Sequence, residues 1–391
     1  MKSSEWKVVK LEDVCYFGND KIETKMISLE DYISTENMLP NKGGISIASS
    51  LPSTKVVRMY EKNDVLISNI RPYFKKIWFA RKIGGASNDV LILKGRNKKI
   101  LDNKFMYYYL SQDGFFSYVT ATAKGTKMPR GDKTAIMNYK INLPTIQEQE
   151  NIVRILTSLD EKIEINNQIN KKLEEMAQTI FKHWFVDFEF PNENDEPYKS
   201  SGGEMVESEL GMIPKGWNIG VLDELIEISS GKRPSIKAQV INEELSIPLV
   251  GASSIMGYTN EFNYNEPVLV IGRVGTHGIV QRFNTKIWAS DNTLVIKSKY
   301  YEYVNQILNI IDYKALNRGS TQPLITQSDI KNYKIIIPDR DYLLKYEELV
   351  GSLFLKYEKN YMENENLKTI RDTLLPKLMS GEIRVPVEEE K

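Results

Sequence analysis

Residues able to carry bond chemistry are sparse in this chain. The two histidines, His183 and His277, form no recognisable metal-ligand spacing with Cys15, the single cysteine. One cysteine excludes an internal disulfide and a thiolate zinc cluster. The glycines of GRVGTHG (272–278) do not open a helix, so they read as a turn between strands rather than a nucleotide cradle, and no GxxxxGK[ST] loop is present. What the chain offers is cations. TAKGTKMPRGDKTAIMNYK (122–140) carries Lys124, Lys127, Arg130 and Lys133, with glycines that let backbone approach a phosphate. RPYFKK (71–76) adds Arg71, Lys75 and Lys76. Later in the chain, RVGTHGIVQR (273–282) supplies Arg273, His277 and Arg282, and NRGSTQPLITQSD (317–329) supplies Arg318 and Gln322. Lys and Arg neutralise phosphates, while Arg and Gln can grip guanine and adenine edges bidentately. The chemistry these residues could do is contact with a polyanion such as a nucleic acid.

The balance of charge supports a local rather than a global basic surface. The whole chain of 391 residues has 52 basic and 52 acidic side chains. Residues 1–145, however, hold 24 basic against 14 acidic residues, a net +10, while residues 187–209 hold one lysine against eight acids. No apolar run approaches a membrane span, and the start lacks the apolar core of a signal peptide, so a cytoplasmic protein with no membrane partner is expected.

The elements that must position these cations are written twice. NYKI occurs at 138–141 and at 332–335, a shift of 194. The match extends to Pro144 and Pro338, to Leu173 and Leu367, and, with drift, to ASNDVLILK (86–94) against ASDNTLVIK (289–297). Each copy reads as short β-rich runs punctuated by Gly, Pro and Asn, then a short helix, then a proline-stopped strand. A long helix follows each. In the first, Ile152, Leu156, Leu159, Ile163, Asn166, Asn170, Leu173 and Ala177 repeat every 3.5 residues. The second copy places Tyr346, Val350, Leu353, Tyr357, Asn360, Asn364, Leu367 and Arg371 at the same positions. This is a coiled-coil seam, and the two helices are expected to pair antiparallel with the asparagines opposed and fixing register. The expected fold is α+β, with two pseudo-two-fold-related, β-rich globular domains joined by two long antiparallel coiled-coil helices. The boundaries read as a first domain at 1–145, a central helix at 146–187, an exposed acidic linker at 188–212, a second domain at 213–338, a C-terminal helix at 339–381 and a charged tail at 382–391.

LPTIQEQENIVRIL (143–156), INNQINKKLEEMAQTIFKHWFVDFE (165–189), IPKGWNIGVLDELIEISSGKRPS (213–235) and LKTIRDTLLPKLMSGEIRV (367–385) together resemble the specificity subunit of a type I restriction-modification system. The likeness covers essentially the whole chain. It departs locally, where IPDRDYLLKYEEL lacks the glutamines of the first copy and where Arg233 stands in place of the family's usual threonine. The resemblance implies two target recognition domains, each reading half of a bipartite, asymmetric site in double-stranded DNA. It also implies helices that act as a ruler and dock two methyltransferase subunits, with endonuclease-translocase subunits joining. The chain itself would be non-catalytic and bind no cofactor, its partners using S-adenosylmethionine, ATP and magnesium. The residues agree that methyl transfer lies elsewhere, since no Asn/Asp-Pro-Pro-aromatic tetrad is present. The competing expectations are a pseudo-dimeric DNA-binding regulator or scaffold acting without a methyltransferase partner, and a specificity module of a combined nuclease-methyltransferase.

Overall fold

The computed structural model describes residues 6–274, 278–316 and 324–386. The chain divides into two compact units, one made of residues up to Asn166 together with those from Met362 onward, the other of Asn167–Tyr361. His277, Arg318 and Gln322 lie outside the described residues.

The first unit is built on a four-stranded antiparallel sheet ordered Cys15–Phe17, Val90–Gly95, Val65–Ser68, Ile77–Phe79. Its central strands, VLIS and VLIL, are apolar on both faces because both faces are covered. Val65, Ile67, Leu91 and Leu93 feed one core with the helices, whereas Leu66, Val90 and Ile92 feed another with Ile33, Met38 and Tyr60. Beside it lies a smaller sheet ordered Lys21–Glu23, Val56–Tyr60, Gly84–Ala86, Tyr32–Ile33. Helix Asn103–Leu110 starts at Asp102, whose carboxylate accepts the backbone N–H of Lys104 and Phe105 at 2.7 and 2.8 Å. The second unit repeats the main sheet as Glu227–Ser230, Thr293–Lys297, Val268–Gly272, Val280–Phe283, with the same alternation between two cores.

The NYKI echo closes each domain. Asn138 and Asn332 each end a short helix, and the strands Lys140–Leu143 and Lys334–Ile337 pair antiparallel with Lys7–Lys10 and Asn218–Val221 respectively. The carbonyls of Tyr139 and Tyr333 accept N–H groups from Leu11 and Leu222, at 3.0 and 2.9 Å.

The central helix runs Ile146–Phe181 and the C-terminal helix Arg340–Ser380, and each contributes to both units. In the first unit Asn166 donates to Asn364 at 2.9 Å and Arg371 donates to Asp160 at 2.9 Å. In the second, Asn360 donates to Asn170 at 2.8 Å, and Tyr346 reaches the carbonyl of Ala177. Rising numbers on one helix thus meet falling numbers on the other within each unit, an antiparallel pairing. All four asparagines are buried.

One expected segment is corrected. Residues 188–212, expected as an exposed linker, keep much of their surface exposed but are folded into the second unit. A single π turn, Lys182–Val186, ends the central helix and buries Trp184 and Phe185. Phe190 then stacks on Trp217 (4.7 Å, 21° between planes) and lies 4.3 Å from Tyr342, and Met205–Ser208 pairs with Gly211–Pro214 in a hairpin. Most acids of the segment are exposed, while Phe188 and Phe190 at its start fill the core. The tail is likewise docked as far as it is described. Arg384 Nε donates to Glu148 at 2.6 Å, and Trp6 Nε1 donates to the same buried carboxylate at 3.1 Å. The shift of 194 carries Glu148 to Tyr342 and Phe190 to Arg384, so equivalent positions seal the two units, one with an ion pair and one with stacked rings.

Candidate nucleic-acid interface

In the first unit the two cation-rich segments, more than 40 residues apart in sequence, become one surface. Ile70 and Arg130 form an antiparallel bridge, and Arg71 N–H donates to the carbonyl of Pro129 at 2.8 Å. Residues 124–130 fold back on themselves, with Lys124 and Arg130 exchanging backbone hydrogen bonds of 2.8 and 2.9 Å. Gly125 sits at φ +94°, where a side chain would be strained, and so permits that reversal.

Half of the cations of this surface are held by carboxylates. Lys124 pairs with Asp132 at 2.5 Å, Arg130 with Asp89 at 3.2 Å, and Lys75 and Lys42 with Asp113 at 2.9 and 3.3 Å. The lysine partners hold the Asp132 and Asp113 carboxyls below their ordinary range, Lys124 foremost for one and Lys75 for the other, so both stay ionised. Pairs of this kind near the surface stabilise little, so a phosphate can replace the carboxylate at small cost. Lys127 and Lys133 are exposed and form no ion pair among the described residues. Lys76 is tethered, its Nζ donating to the Thr35 carbonyl at 2.6 Å, and burial lowers its pKa.

The second unit reproduces the junction at Val274 and Leu324, which bridge as Ile70 and Arg130 do, and Ile325 N–H donates to the Arg273 carbonyl at 3.0 Å. Arg273 is half-buried, and its Nε has no hydrogen-bond partner among the described residues. Arg282 is withdrawn from the DNA-facing candidates. Its guanidinium grips Glu302 bidentately and lies 3.5 Å from the Phe354 ring centroid, so it fastens the sheet to the helices. A lone basic residue in a strand gave no sign of this, because the acid and the ring it meets are 20 and 72 residues away in sequence. Sequence reasoning also passed over Lys42 and Asp113, which only tertiary contact brings to the site.

Among the described residues no three His, Cys, Asp or Glu are grouped to hold a metal ion, and no helix is long and apolar enough to cross a membrane. What the two units share among the described residues is one loop junction built twice. The model of the type I restriction modification DNA specificity domain matches residues 3–175 and again 214–341, and the chain belongs to that family. It is a DNA-binding specificity subunit and not an enzyme. It is similar to the type I restriction enzyme MjaIX specificity subunit of Methanocaldococcus jannaschii, with 27% identity over 97% of this chain and 94% of the relative. The HindI specificity subunit of Haemophilus influenzae is 25% identical over 97% of this chain and 100% of its own length. The fold resembles the crystal structure of a type I restriction-modification S subunit from M. genitalium, with a TM-score of 0.61, 16% identity and 97% of both chains covered.

Proposed function

We propose that each unit reads one half of a bipartite, asymmetric DNA site and that the paired helices fix the spacer between the halves. The observation that carries this reading is the duplication itself, since one recognition domain, matched twice by the same family model, supplies two different loop sets on one framework. Two methyltransferase subunits dock on the helices, and endonuclease-translocase subunits complete the complex in the cytoplasm. Exposed apolar side chains on the helices, among them Ile165, Ile169 and Met176 on one and Leu349, Leu355 and Met362 on the other, support such docking. S-adenosylmethionine, ATP and magnesium belong to those partners. Methylome sequencing with and without this gene tests the reading. One split motif should lose methylation on deletion, and an unchanged methylome would reject it. Co-purification from the native cell separates this from a regulator acting alone, which would carry no methyltransferase.

A further inference from the structure

The loop Arg71–Lys75 combines three features that a simple turn does not need. Arg71 and Lys75 both lie in the left-handed region, at φ +50° and +52°, on either side of the short helical turn Pro72–Phe74. The neighbouring Asn41 and Lys42 do the same at +54° and +62°, and they dock on this loop by donating to the carbonyls of Phe74 and Lys75 at 2.8 and 2.9 Å. Four of the seven non-glycine residues with positive φ among the described residues therefore meet in one patch. Glycine would give the same reversals without strain, so the side chains at these positions are retained for something other than turning the chain. Asp113 clamps the arrangement by pairing with both Lys42 and Lys75.

What this rigid frame holds outward is a pair of rings. Tyr73 and Phe74 are 48% and 39% exposed, with centroids 4.8 Å apart and planes tilted by 54°. Met128, 48% exposed, lies on the adjoining loop, next to the Pro129 whose carbonyl accepts from Arg71. Cations of the same surface adjoin it: Lys42 and Lys75 pair with Asp113 beside the loop, Lys76 Nζ lies 5.7 Å from the Phe74 ring centroid, and Arg130, on the segment bridged to Ile70, pairs with Asp89. An apolar tip flanked by cations fits a polyanion with apolar flat faces inside it. That combination favours DNA over a protein partner, whose docking face would have to be both apolar and strongly acidic.

We propose that Tyr73 and Phe74 form a wedge that enters the DNA of the half-site read by the first unit and stacks on an opened base step, while the adjoining cations hold the flanking phosphates. This rests on the reading of the chain as a DNA specificity subunit and deepens it. The unit then selects sequence partly by how easily a step unstacks, as well as by base edges. Stacking needs a ring but not the tyrosine hydroxyl.

The test uses the intact complex purified from the cell and a duplex carrying the site that methylome sequencing assigns, with permanganate oxidation reporting unstacked thymines. Wild-type complex should create reactive thymines in one half-site. The double variant Tyr73→Ala/Phe74→Ala should lose them and bind on the order of 10- to 100-fold more weakly, the range for removing aromatic stacking from one or two bases. Tyr73→Phe should keep both signals. Thermal melts of each variant exclude unfolding, which exposed side chains should not cause. A double variant that binds and reacts like wild type overturns the wedge while leaving the footprint, and hence the DNA-specificity reading, intact. Loss of the methyltransferase subunit from the purified variant would assign the rings to a protein interface and also overturn it. A wild-type complex with no footprint on any duplex would sink both.

Discussion

Lys127 and Arg130 illustrate how one residue type takes different work from its surroundings. Lys127 stands free of ion pairs among the described residues, and Arg130 is held only by the exposed Asp89 pair. Replacing Lys124, Lys127 and Arg130 together by alanine should weaken DNA binding and flatten its salt dependence, by up to about 0.9 for each phosphate no longer neutralised. A titration across salt concentrations measures both, and an unchanged slope would remove these three residues from the interface. Arg282 has the same charge and the opposite role. Arg282→Ala leaves Glu302, only 8% exposed, without its guanidinium, and should destabilise the second unit by about 3–5 kcal/mol in chemical denaturation. A variant as stable as wild type would contradict that account.

Among the elements, helix starts were the least legible from sequence. Asp102 caps Asn103–Leu110 from its own segment and could be anticipated, but the start of Tyr301–Ile310 has no side-chain cap of its own. There the carboxylate of Glu347, on the C-terminal helix, accepts the N–H groups of Glu302 and Tyr303 at 3.0 and 2.9 Å. Burial pushes the Glu347 carboxyl from 4.5 up to about 7, outweighing the two N–H donors and the nearby Arg282. Below about pH 4.5 the folded and unfolded chains both hold this proton. Between 4.5 and 7 the unfolded chain releases it first, so stability falls as pH rises through that window and levels off above it. Thermal melts from pH 4.5 to 7.5 should show this decline in the wild type and a shallower one in Glu347→Gln. Parallel curves would refute it. The asparagine positions were readable because a 3.5-residue period places them in the seam, whatever the tertiary fold. Replacing Asn170 and Asn360 together by leucine should preserve or raise stability. Asn170→Ala alone should cost on the order of 1–3 kcal/mol, since Asn360 then loses its buried acceptor. Equal denaturation midpoints for all three chains would show that the pair does not matter.

Across the whole molecule, duplication made the fold class readable, because a constant shift of 194 runs through strand, helix and seam alike. Loops escaped that logic. The acidic stretch after the central helix looked like a solvated linker because composition averages over Phe188 and Phe190, whose burial depends on Trp217 and Tyr342. The merging of residues 71–76 with 124–133 was invisible for the same reason, as it depends on a strand pairing that no local pattern encodes. Adding one heptad to both long helices should change the spacer in the methylated motif, and an unchanged spacer would reject the ruler. The shared carboxylate of Glu148 carries a different consequence. Trp6 and Arg384 are both bonded to it, so segments 378 residues apart in sequence are fastened to one side chain. A flexible link between Trp6 and Arg384, with the chain opened near Ser201 and Gly202 at an exposed turn, should yield a protein that folds and restores the same methylation motif.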